Sequence, residues 1–134
     1  MSGPVARVEV ARGYLAKAHE SLESAEADLA AGRYNSCVRG SYYALFQAAI
    51  AALLLAGEPL REKWAHAYVQ SRFSSTIRQR KLYPSALRDV LSTVIRLRNK
   101  ADYDDIGVSE RPTRRAVAQA QRLVALVDQV MPGA

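Results

Sequence analysis

Apolar positions recur at helical spacing along nearly the whole chain. Val8, Ala11, Leu15, Ala18, Leu22, Ala25 and Leu29 follow one another at steps of three and four, which predicts a first amphipathic helix with Glu9, Glu20, Glu23 and Glu26 off its apolar stripe. Gly32 is its predicted stop, because glycine enters the left-handed conformation without steric penalty. A second helix is predicted from about Tyr34 to Ala56, ended by Gly57 and Pro59. From Ser41 onward this helix is apolar on nearly every side, with Gln47 the one strongly polar interruption. Tyr42, Leu45, Ala49 and Ala52 define one face, and Tyr43, Phe46, Ile50 and Leu54 another. A helix that is hydrophobic all round has to be covered all round. Its own neighbours can do that, but the two aromatic-rich faces make a homodimer seam through Tyr43, Phe46, Ile50 and Leu54 the expectation.

A third helix is predicted from about Lys63 to Arg80, with Trp64, Tyr68, Phe73 and Ile77 set among basic residues. Pro84 and Ser85 open a fourth, whose stripe is Leu87, Val90, Leu91, Val94 and Ala101. Asp104, Asp105 and Gly107 break the pattern, and a last helix from Ser109 or Thr113 carries Val117, Ala120, Val124, Val127 and Met131. No segment alternates with a period of two, and no repeat or low-complexity tract interrupts the pattern. The expected architecture is one all-α domain over residues 1–134, an antiparallel up-and-down bundle of four main helices plus a shorter accessory helix.

Charge adds a direction to this picture. The net charge is +6, yet residues 1–60 hold five Lys/Arg against six Asp/Glu and residues 101–134 hold four against five. Residues 61–100 hold ten against two, so all the excess sits in one third of the chain, as expected of a surface that meets phosphate or another acidic partner. A solvated basic face is the alternative. The single cysteine, Cys37, excludes an intrachain disulfide and is expected to be a small core residue. The first residues carry no apolar signal region and the longest apolar run, Ala48 to Ala56, is short for a bilayer, so a cytoplasmic protein without membrane insertion is expected.

The chemistry-bearing residues are few. There is no Gly-rich phosphate loop, no Cys-x-x-Cys, no His-Glu-x-x-His and no nucleophile elbow. His19 and His66 fall on different predicted helices without a carboxylate at zinc-ligand spacing, so neither a metal nor a cofactor is expected. Arg98 stands out because Leu87, Leu91, Val94 and Arg98 share one face, which carries the arginine toward the bundle interior. A permanently charged guanidinium there needs a partner or a solvent-filled cleft. Asp102, four residues on, can tether it as a structural pair; alternatively Arg98, Asn99, Lys100, Asp102 and Tyr103 line a polar ligand-binding cleft. Tyr103 meets that cleft only if the helix ends or bends near Asp102, since five residues turn an ideal helix by about 140° from Arg98.

Two segments carry a family resemblance. Gly32-Arg-Tyr-Asn-Ser-Cys-Val-Arg-Gly-Ser-Tyr-Tyr-Ala-Leu-Phe-Gln-Ala-Ala, followed by Leu97-Arg-Asn-Lys-Ala-Asp-Tyr103, resembles the HEPN domain (higher eukaryotes and prokaryotes nucleotide-binding), in the small bacterial and archaeal subfamily with an Arg-x-x-Ala-Asp-Tyr motif. The similarity runs from about Ala16 to Val130. It implies an up-and-down bundle that dimerises. Many such domains are metal-independent ribonucleases, and others are partners of a minimal nucleotidyltransferase in toxin–antitoxin pairs. In the nucleases an arginine is followed four to six residues later by a histidine. Arg98 and Asn99 match the opening of that motif, but position 103 is Tyr103 and no histidine follows; Gln47 likewise stands where relatives often carry histidine. A tyrosine near pKa 10 is a poor base where a histidine near 6.5 is an effective one. The expected function is therefore a dimeric module that binds RNA, a nucleotide or a nucleotidyltransferase partner near Arg98. The alternatives are a toxin ribonuclease using Arg98 with Tyr103 or His66, and a structural adaptor without ligand.

Overall fold

The computed structural model describes residues 3–79 and 82–133, and these form five α-helices without a strand among them. They are α1 (Pro4–Ala30), α2 (Tyr34–Leu55), α3 (His66–Gln79), α4 (Val90–Tyr103) and α5 (Glu110–Val130), with a 3₁₀ turn at Ser85–Leu87 between α3 and α4. Both predicted glycine stops hold. At the end of α1, Gly32 adopts φ +75° while its amide and that of Arg33 donate to the Leu29 and Asp28 carbonyls, closing the last turn. Gly57, at φ +105°, ends α2 in the same way, with Gly57 and Glu58 donating to Leu54 and Leu53. The third helix begins later than its periodicity suggests, at His66, and its predicted end at Arg80 lies outside the described residues. Pro84 and Ser85 open a 3₁₀ turn, and α4 proper starts at Val90.

The tight turn at residues 31–33 folds α2 back along α1, so Ala25 meets Gly40 and Ser21 meets Gln47. A methyl group at Gly40 would sit 3.2 Å from the Ala25 Cβ and 3.3 Å from the Ser21 carbonyl oxygen, so glycine lets these helices pack closely. Helix α5 runs antiparallel to α1, tied by His19 to Asp128, by Gln121 donating to Glu26, and by Arg12 donating to the Pro132 carbonyl. Helix α4 runs antiparallel to α2, with Asp102 beside Arg39 and Arg98 beside Tyr42. Helix α3 lies against α2 and has the same fourteen-residue length as α4, so length does not single out one accessory helix. The α4–α5 connection is pinned from α2: the Asn35 Oδ1 accepts the Val108 amide at 3.0 Å, and Asn35 occupies the space that a side chain at Gly107 would need.

Helix α2 is the centre of the core. It packs against all four other helices, and Tyr42, Leu45, Ile50, Leu53 and Leu54 are all fully or nearly fully buried. By length and composition α2 also passes as a membrane-crossing helix, but two thirds of its most apolar window is inside the domain. This burial corrects part of the expected dimer seam. Ile50 and Leu54 are each 1% exposed and belong to the chain's own core, whereas Tyr43 is 39% exposed and Phe46 partly so. The apolar faces of α2 diverge because α1, α3, α4 and α5 together supply enough cover for all but the Tyr43 edge. Ile50→Asp, which an Ile50 seam would make a dimer-splitting change, should instead unfold the protein. Lost packing and a buried carboxylate together cost at least about 4 kcal/mol. Circular dichroism during urea denaturation checks this; a folded variant with an unchanged midpoint contradicts it.

Candidate functional site

Helices α2, α3 and α4 converge on Arg98. The arginine leaves α4 on the inward face that its register predicts, and its side chain keeps 24% of its surface exposed. Its guanidinium carbon lies 5.5 Å from the Tyr42 ring centroid and 5.3 Å from that of Tyr43, within cation–π range of both rings. One turn further on, Asp102 Oδ2 is 3.4 Å from Arg98 Nε, and Asp102 Oδ1 is 3.1 Å from Arg39 Nε of α2. One carboxylate thus serves two guanidinium groups. The Arg98 Nε is buried and, at that separation and angle, donates no hydrogen bond among the described residues.

The first residue of α3 completes the cluster. His66 stacks on Phe46 at 4.4 Å between centroids, lies nearly parallel to Tyr42, and its Nδ1 meets the Tyr42 hydroxyl at 2.5 Å. The Gln70 amide also lies in hydrogen-bonding range of that hydroxyl. Burial pushes the Tyr42 phenol up to about 12, with Arg98 pulling weakly the other way, so Tyr42 stays protonated. Burial also lowers the His66 pKa below its ordinary value, and the Arg98 charge lowers it further, so the imidazole is neutral at pH 7. A fixed cation, exposed and buried aromatic faces and a neutral imidazole therefore gather in one partly exposed cluster.

The other expected site residues divide. Arg98 and Asp102 come together with each other, while Asn99 and Lys100 face away from this cleft and are exposed, Lys100 reaching Asp104 at 3.4 Å. Tyr103 does not join them: it is 84% exposed. The helix neither ends nor bends at Asp102 but runs on through Tyr103, so the turn angle carries that ring away from Arg98. The break comes one residue later, where Asp104 Oδ1 accepts the amides of Ile106 and Gly107; those bonds, and then Lys100, hold the Asp104 carboxyl below its usual range. Arg39, Tyr42 and Tyr43 form the cleft without having been singled out for it, because the spacing between α2 and α4 is a tertiary property. Among the described residues no three His, Cys, Asp or Glu side chains gather as metal ligands.

The concentration of positive charge in residues 61–100 is also redistributed. Arg61 covers the Tyr68 ring, Arg72 pairs with Glu58, Arg88 with Asp89, Arg98 with Asp102 and Lys100 with Asp104, while Arg80 and Lys81 lie outside the described residues. Stability should carry the signature of His66. Its folded-state pKa is depressed, so its contribution is complete above about pH 6.5 and is lost as pH falls below that value, where the unfolded chain binds the proton first. Melting temperatures between pH 7.5 and 5.5 should fall for the wild type and fall less for His66→Gln; identical profiles would remove His66 from the buried, neutral role.

A family model described as the HEPN domain matches residues 11–130 of the chain. No curated protein matches the sequence.

Proposed function

The chain belongs to the HEPN domain family, and on that premise we propose that it binds single-stranded RNA or a nucleotide at the Arg98 cleft. The carrying observation is the state of Arg98. Two guanidinium groups share one carboxylate, which leaves a net positive charge, and the Arg98 Nε–H has no acceptor among the described residues. A phosphate oxygen at the exposed part of the Arg98 side chain adds the second anion that the two guanidinium groups lack, and arginine suits it because its planar fork can donate two parallel hydrogen bonds. Tyr43, 39% exposed beside the guanidinium, offers a face on which a base stacks.

His66 favours a second reading, metal-independent RNA cleavage. A neutral imidazole near Arg98 is suited to take the proton of a ribose 2′-hydroxyl. That oxygen then bonds to phosphorus, the bond to the 5′-oxygen breaks, and the departing oxygen takes a proton from water. In this reading His66 replaces the motif histidine that Tyr103 lacks. One experiment separates the readings: anisotropy of labelled single-stranded RNA from low to moderate salt, followed by electrophoresis of the same samples. Binding should weaken at least about tenfold in Arg98→Ala and fall steeply with salt. Intact RNA with the wild type supports the binding module; cleavage that His66→Ala abolishes while binding persists supports the nuclease. Equal binding by the wild type and Arg98→Ala refutes the site.

The homodimer belongs to the same proposal, with its seam moved. Tyr103 and Ile106 are 84% and 88% exposed, and the Asp104 turn holds the segment that presents them. Pairing through this segment would bring two Arg98 clefts near one another and could equally receive a nucleotidyltransferase partner. Ile106→Glu should convert a dimer to a folded monomer in sedimentation or light scattering, since the side chain supports no intrachain packing; an unchanged dimer would place the seam elsewhere.

A further inference from the structure

We infer that a second phosphate-binding surface lies on the opposite flank of α4, in the groove between α4 and α5, and that it carries the continuation of a single RNA strand. The inference rests on the RNA-binding reading of the Arg98 cleft and extends it to a separate face. Arg96 and Lys100 lie two residues on either side of Arg98 and so point about 160° away from it around the helix. They line a groove of about 370 Å³ with Arg115, over a floor of Leu97, Pro112 and Ala116. Arg115 also borders a second hollow of about 540 Å³ with Arg111 and Arg114, so this one side chain lines both depressions.

This crowding of cations is unfavourable by itself. Arg111 lies in the first turn of α5, where the helix macrodipole opposes positive charge, and Arg114 and Arg115 follow in the next turn. Glu110 offsets Arg114, with Oε2 to Nε at 2.6 Å, and Asp104 offsets Lys100. Arg96, Arg111 and Arg115 form no ion pair among the described residues. A bound polyanion relieves both the mutual repulsion and the dipole. Two observations favour RNA over an acidic protein. None of the large exposed apolar side chains of the domain, Val5, Val10, Tyr43, Leu82, Tyr103 and Ile106, lies in the groove, and its charged side chains are arginines and a lysine with Glu110 as the single acid. The groove is also separated from the Arg98 cleft only by the width of α4, about 10–12 Å, a distance that a strand covers in a few nucleotides.

The test uses the dinucleotide UpU as the short strand and oligouridine of twenty nucleotides as the long one, with the full chain. Compared are the wild type, Arg111→Ala/Arg115→Ala, Arg98→Ala and, as a control for net charge, Lys63→Ala/Arg78→Ala on the α3 side. The groove variant should bind the long strand about tenfold more weakly, with the slope of log affinity against log salt reduced by about 1.4 for two lost contacts. It should bind the short strand as the wild type does, and the control should change neither by as much. Arg98→Ala should weaken both lengths. If the groove variant binds the long strand with unchanged affinity and slope while Arg98→Ala still weakens it, the groove is not part of the RNA path, the cleft assignment stands, and an acidic protein becomes the fitting occupant. If the wild type binds neither length, both assignments fall.

Discussion

A helix without a polar side dictates most of this structure. Once α2 forms, its buried residues leave water only if other helices enclose them, and the domain is the arrangement that does so with one chain. The close α1–α2 contact at Gly40, the antiparallel return of α5 and the short α3 are all ways of covering one axis. Cover is thinnest along the edge marked by Tyr43 and Phe46, and the cleft lies there. The site is thus positioned by incomplete burial of the core rather than by a dedicated loop.

Electrostatics then decides what the cleft contains. Arg98 enters from an apolar register, so its charge is met by what lies around it: Asp102 one turn on along α4, two tyrosine faces from α2, and no acceptor for Nε. Together with burial, the same charge helps to keep His66 neutral. Removing Arg98 would therefore alter the protonation of a residue on a different helix.

Local physics was visible in the sequence wherever the determinant was local. Gly32 and Gly57 ended their helices because the left-handed backbone is a property of the residue itself, and the inward register of Arg98 followed from helical periodicity. Expectations slipped where a third element intervened. Periodicity gave Ile50 and Leu54 an apolar face but not the identity of what covers it. Tyr103 could meet Arg98 only if the helix ended or bent near Asp102, whereas α4 runs through Tyr103 and the acceptor that closes the turn is Asp104. Counting charge by chain segment concealed the α4–α5 groove, because its cations come from a basic stretch and from one that is slightly acidic overall.

The shared carboxylate has one more consequence. Asp102 is a resident anion that already holds part of both arginines, so any incoming anion enters as its competitor. A small monovalent ion gains little by displacing it, whereas a phosphodiester that also stacks a base on Tyr43 has a second source of binding free energy. Asp102 in this way sets a threshold that an anion has to exceed before it gains either guanidinium.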